Sequence, residues 1–136
     1  MAISLKPTLT LESTGGSTGV SEDSSLTLSV TNTLTVTDPM IGISRVACTT
    51  TGNDTVILSD ADVVRYVYIK NTGLDASDTA TTATIRVEIA DNTRIIELGA
   101  DEFCFLPHKT ESSGGLRLEA SADTVIAEYG YWTKSS

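Results

Sequence analysis

From about residue 63 to 132, apolar and polar residues alternate in short runs, each closed by a turn signal. Val63-Val-Arg-Tyr-Val-Tyr-Ile-Lys70 ends at Asn71-Thr-Gly73, and the run 82–90 ends at Asp91-Asn92. Arg94-Ile-Ile-Glu-Leu98 turns through Gly99-Ala-Asp101 into Glu102-Phe-Cys-Phe-Leu106, which Pro107 is expected to stop. Glu111-Ser-Ser-Gly-Gly115 turns into 115–120, and Ser121-Ala-Asp123 turns into the aromatic run Thr124-Val-Ile-Ala-Glu-Tyr-Gly-Tyr-Trp-Thr133. A period of two puts one set of side chains on a buried face and the other in water, which predicts strands. Further strands are expected at 41–48 and 55–58, and Asp91-Asn92 reads as a tight hairpin. About ten short antiparallel strands at roughly ten-residue spacing predict an all-β chain, a β-sandwich of jelly-roll type.

Residues 1–38 are patterned differently. Leu26, Leu28 and Val30 keep period two, and Leu34 and Val36 follow Asn32. This predicts a strand, a turn near Asn32 and a second strand. Ser13-Thr-Gly-Gly-Ser-Thr-Gly19 reads as a flexible loop. The segment is either an extended arm that pairs with a neighbouring chain or a set of edge strands of the same sandwich. Asp38-Pro39 marks a turn. The chain thus divides into a Thr/Ser-rich segment, 1–38, and a sandwich domain, 39–136.

Composition sharpens the class. Aromatics are only 5% of 136 residues against 40% hydrophobic, so the core is expected to be Val, Ile and Leu, which suits sheet. The formal net charge of −9 repels phosphate, and no two of the nine Lys and Arg are adjacent, so nucleic acid is not an expected partner. No apolar stretch approaches a membrane span, and the first residues do not form a signal peptide. A protein made in the cytosol, without a membrane partner, is expected.

Candidate chemistry is sparse. Cys48 and Cys104 could form a disulfide, although their spacing does not require one, and Cys104 sits in an apolar run. His108, the one histidine, lies near Cys104, but Pro107 is expected to break the strand between them. Asp60, Asp62, Asp75 and Asp78 are loop carboxylates that could offer a weak calcium site, and they read more simply as turn caps. Glu88, Glu97, Glu119 and Glu128 fall on the polar phase of strands and are expected to face water rather than form a hydrolytic pair. No phosphate loop, nucleophile elbow or zinc spacing occurs. The chain reads as a non-enzyme with no catalytic residue, metal or cofactor. Tyr66 and Tyr68 share one strand face and Tyr129 and Tyr131 another, with Trp132 opposite the latter pair. Packing in a core or at a subunit interface is the preferred reading for these rings, and a sugar or peptide platform the alternative.

The stretch 66–132 resembles small virion structural proteins of tailed bacteriophages. The resemblance is carried by Val67-Tyr-Ile-Lys-Asn71, Ile85-Arg-Val-Glu-Ile89, Gly99-Ala-Asp-Glu-Phe103 followed by Pro107, Leu116-Arg-Leu-Glu-Ala120 and Val125-Ile-Ala-Glu-Tyr129. It covers about half the chain and includes no catalytic motif. The similarity to capsid decoration (cement) proteins implies a chain on the outer capsid surface that stabilises the shell. The implied partners are the major capsid protein and further copies of the chain, a trimer being favoured. A tail or fibre component with a receptor- or glycan-binding role is the alternative.

Overall fold

The computed structural model describes residues 3–12, 27–50, 55–59, 63–89, 93–109 and 115–135, with the backbone alone described for 38–41. Among them all regular structure is strand: β1 (Ile3–Leu5), β2 (Thr8–Glu12), β3 (Thr27–Thr31), β4 (Leu34–Cys48), β5 (Thr55–Leu58), β6 (Val64–Asn71), β7 (Ile85–Ile89), β8 (Thr93–Leu98), β9 (Phe103–Lys109), β10 (Leu116–Ala120) and β11 (Val125–Lys134). The expected loop at 13–19, Leu26, the Asp91-Asn92 hairpin, the turn at 111–114, Asp60 and Asp62 lie outside the described residues.

The pairing is nested. β7 pairs with β8, β6 with β9, β5 with β10 and β4 with β11, all antiparallel. The chain is thus one long hairpin that doubles back between β7 and β8. Alternate pairs of this hairpin enter different sheets. One sheet has the order β1-β4-β11-β6-β9 and the other β5-β10-β7-β8. That wrap is the jelly roll. The two-sheet packing follows from the alternation, because each run has one apolar face and two sheets must cover each other.

The apolar faces meet in one core. Val67, Ile69, Val125, Ala127 and Cys48 from the first sheet pack with Ile85, Val87, Leu98, Leu116 and Leu118 from the second, all 5% exposed or less. The core holds no Phe or Trp, as the aromatic-poor composition leads one to expect.

Two residues fix the frame around it. Asn71, fully buried at the end of β6, donates from Nδ2 to the carbonyls of Ala83 and Leu98, both at 3.0 Å. Its Oδ1 accepts the Gly73 amide at 2.8 Å. This side chain ties the first sheet to the end of β8 in the second, with its donors and acceptor engaged. Gly115 takes a φ of +61°, and a Cβ there would overlap the Leu58 carbonyl oxygen. Only glycine suits both demands.

Three expectations are corrected. β4 does not turn at Asp38-Pro39 but runs through it from Leu34 to Cys48. Its register with β11 jumps there, from Met40 opposite Trp132 to Thr37 opposite Thr133, so the bulge absorbs a proline that cannot donate to a ladder. β9 likewise continues through Pro107 to Lys109. β9 is a sheet edge, where the missing N–H breaks no ladder. Glu88 and Glu119 do not face water; they are 3% and 5% exposed.

The N-terminal segment holds one strand of the sandwich edge and a separate ribbon. β1 is an edge strand on β4, pairing Ile3 with Val36 and Leu5 with Leu34. β2 and β3 pair only with each other and form a separate two-stranded ribbon.

Candidate functional site

The two outer faces of the sandwich differ in chemistry. On the four-stranded sheet the outward residues of β10, β7 and β8 form two rows. Glu119, Arg86 and Glu97 stand in register, and beside them Arg117, Glu88 and Arg94. Signs alternate along and between rows. The Arg86 Nη1 donates to Glu119 Oε1 at 2.7 Å and the Arg94 Nη1 to Glu97 Oε2 at 3.2 Å. A bulge at the β7–β8 pair skips Ile95 and so brings Arg94 opposite Glu88. The Thr84 hydroxyl donates to Glu97 Oε1 at 2.6 Å, and this bond, with Arg94 and Arg86, holds the carboxyl below its usual range. Glu119 is thus paired with Arg86 and Glu97 with Arg94.

The five-stranded sheet carries rings instead. Tyr66 stacks on Phe105 with centroids 6.2 Å apart and planes 7° from parallel. Tyr68 meets Phe103 at 6.4 Å with a 42° tilt. The ladders explain these pairs: Tyr68 stands opposite Phe105, Lys70 opposite Phe103 and Tyr66 opposite Pro107. Trp132 lies across from Tyr66 on β11. Phe103 remains 61% exposed, Ile43 57% and Phe105 40%.

A groove of about 350 Å³ crosses this face. Ile43, Tyr68, Phe105 and Trp132 line it together with Leu5 and Pro7 of the N-terminal segment. Its charges are Lys6 and Glu128, and Glu128 is engaged by Arg45 at 2.9 Å. A second cleft, about 460 Å³, lies between Pro7, Thr8 and Leu9 at the root of the ribbon and Phe103, Cys104 and Phe105 on β9. The two share Pro7 and Phe105, so the apolar surface is continuous from the sheet onto the ribbon. There Leu9 stands opposite Val30 and Leu11 opposite Leu28 on one face. All four are exposed, between 40% and 52%.

The other sequence candidates separate. Tyr129 and Tyr131 pack against the core, and Tyr131 also carries the Arg65 guanidinium 5.5 Å above its ring. Cys48 and Cys104 are free thiols, on strands with β11 and β6 between them. Burial pushes Cys48 up to about 12 and Cys104 up to about 11, which leaves both as poor nucleophiles. Cys104 and His108 lie on the same face of β9 but four residues apart, roughly 13 Å along a strand, too far for a nucleophile–base bond. Asp75 caps a turn, its Oδ1 accepting the amides of Ser77 and Thr79 at 2.7 and 2.9 Å, while Asp78 sits at a φ of +57°. Among the described residues no three potential metal ligands gather, and no helix is long and apolar enough to cross a membrane.

Sequence reasoning picked out Tyr66 and Tyr68 but missed Phe103 and Phe105 as surface groups. Both phases of Phe103-Cys-Phe-Leu106 are apolar, so alternation alone did not choose. The available signal was the phase of Lys109, which groups Phe103 and Phe105 with it on the exposed side.

No protein-family model, no curated protein and no solved structure matches this chain.

Proposed function

We propose that the protein is a non-enzymatic structural component of a virion, bound to the outer surface of a capsid and stabilising the shell by bridging its subunits. One observation carries the reading: a continuous apolar surface, rings plus ribbon, stays uncovered, while the other outer face carries Arg–Glu pairs. Solitary soluble chains rarely keep such a surface in water. The nested sandwich gives a rigid body, and the acidic balance keeps it off nucleic acid. Copies that bury apolar strand faces against their neighbours on the shell act as staples. The test is co-sedimentation with capsids that lack the protein, followed by heating of the bound shells. Binding with a raised disassembly temperature supports the reading, and failure to bind refutes it.

The aromatic groove favours one second reading, a tail or fibre component that binds a receptor glycan. Trp132, Tyr68 and Phe105 offer ring faces on which a sugar could stack. Tyr131, turned to the core, does not join them. A glycan array separates the two readings: a specific signal that Trp132→Ala removes favours the fibre, and silence with capsid binding favours the shell.

A further inference from the structure

We infer that Arg65, on the inward side of β6, forms an anion site that takes a carboxylate, either of a small free acid or of another protein's acidic side chain. The site lies on the opposite side of the sheet from the rings and is independent of the capsid reading.

A buried cation without a counter-charge sets the requirement. Arg65 is 6% exposed. Its Nε and Nη1 find no hydrogen-bond partner among the described residues. Carboxylates are not scarce, since 18 Asp and Glu stand against nine Lys and Arg. Arg45, Arg86 and Arg94 each hold one within 3.2 Å. A guanidinium buried alone is costly, because it gives up hydration and regains nothing at its N–H groups. The Tyr131 ring, 5.5 Å from the Arg65 Cζ, compensates the face of the guanidinium and leaves its in-plane edge without an acceptor.

The register explains why the chain's own acids stay away. Arg65 shares the inward phase of Val67 and Ile69, both in the core. It stands opposite His108 on β9 and Thr133 on β11, and Thr133 stands opposite Thr37 on β4. Opposed residues of antiparallel strands share a face, with Cβ atoms about 4.5–5.5 Å apart. The row is therefore His108, Arg65, Thr133 and Thr37, and it contains no acid. An imidazole and a hydroxyl, both able to donate, flank the guanidinium. Burial lowers the His108 pKa, so at neutral pH the imidazole adds a donor and no second positive charge.

The same features select the ligand. A carboxylate is planar and meets the in-plane edge of a guanidinium whose face rests on a ring. It also carries a single charge, whereas a phosphate dianion meets twice the repulsion of a chain at −9.

Thermal unfolding of the full chain at neutral pH in sodium acetate, against sodium chloride at equal ionic strength, tests this. Wild type is expected to melt on the order of 5 °C higher in acetate at about ten times its dissociation constant. Arg65→Met keeps the length of the stem and removes the charge. It is expected to lose the acetate response and, in chloride, to melt no lower than wild type. The Nε–H resonance of Arg65 in labelled wild-type protein is expected to move and saturate with acetate, which needs no variant. A capped Gly-Asp-Gly peptide separates the sources: saturation with peptide and acetate assigns a protein side chain, and with acetate alone a free acid. An equal acetate response of wild type and Arg65→Met, or an Nε–H resonance that does not saturate, overturns the inference. Arg65→Met melting well below wild type in chloride also overturns it, since the chain then satisfies the guanidinium by itself.

Discussion

The sandwich has two outer faces built on the same ladder geometry, and they solve exposure in opposite ways. On β10, β7 and β8 every outward Glu stands opposite an Arg, and Arg86–Glu119 and Arg94–Glu97 close as ion pairs. On β6, β9 and β4 the outward positions hold Tyr66, Tyr68, Phe103, Phe105 and Ile43, whose best partner is not water. A face that satisfies itself contributes stability and resists contacts. A face that cannot do so gives up little stability and invites them. On the function proposed above, the charged face helps hold the body, and the ring face with the ribbon is the one that meets other protein.

The most disruptive change attacks the frame on which both faces depend. Asn71→Leu strands the Ala83 and Leu98 carbonyls and the Gly73 amide, at about 1–3 kcal/mol each. Thermal unfolding is expected to shift down by more than about 10 °C. A smaller shift would mean that water replaces the side chain.

The charged face is expected to respond next. Arg86→Met leaves the Glu119 carboxylate, 5% exposed, without its 2.7 Å ion pair, and urea unfolding should register a loss of about 2–3 kcal/mol. The double variant Arg86→Met/Glu119→Leu is expected to recover to within about 1 kcal/mol of wild type, because the cost lies in the orphaned charge. A double variant as weak as the single one would place the stability elsewhere in the rows.

On the ring face the same measurement at monomer concentrations is expected to show much less. Phe105→Ala loses one stack on Tyr66, about 1 kcal/mol, and Phe103→Ser stays within about 0.5 kcal/mol. If these changes cost as much as Arg86→Met, the ring face is a structural core and the contrast fails.

The smallest effect belongs to pH. Burial lowers the His108 pKa below its ordinary 6.5, so the unfolded chain binds the proton more readily. Stability is therefore full above about 6.5 and declines as pH falls from there through the lower folded value. His108→Gln should flatten that part of the curve. Glu97 adds a decline at more acid pH, because its folded pKa is held below the unfolded one, and stability present above the latter is lost as pH falls through the former.

Much of this architecture was legible in the alternation of residues. Val67 and Ile69 against Tyr66 and Tyr68, or Leu116 and Leu118 against Arg117 and Glu119, announce their faces. Two kinds of feature were not. Prolines 39 and 107 read as breaks because local sequence does not reveal whether a strand lies at an edge or carries a bulge. Glu88 and Glu119 read as solvated because the burial of an outward side chain depends on which strands become neighbours. The ring face needed the same knowledge, since Phe103 and Phe105 become a surface only once β9 lies beside β6.

The account's central claim is that the ring face, not the charged face, meets other protein. Co-sedimentation with capsids lacking the protein, comparing Phe103→Asp with Arg94→Glu, tests it most directly. The account expects Phe103→Asp to remain in the supernatant and Arg94→Glu to pellet like wild type. Retention of the first with loss of the second would contradict it.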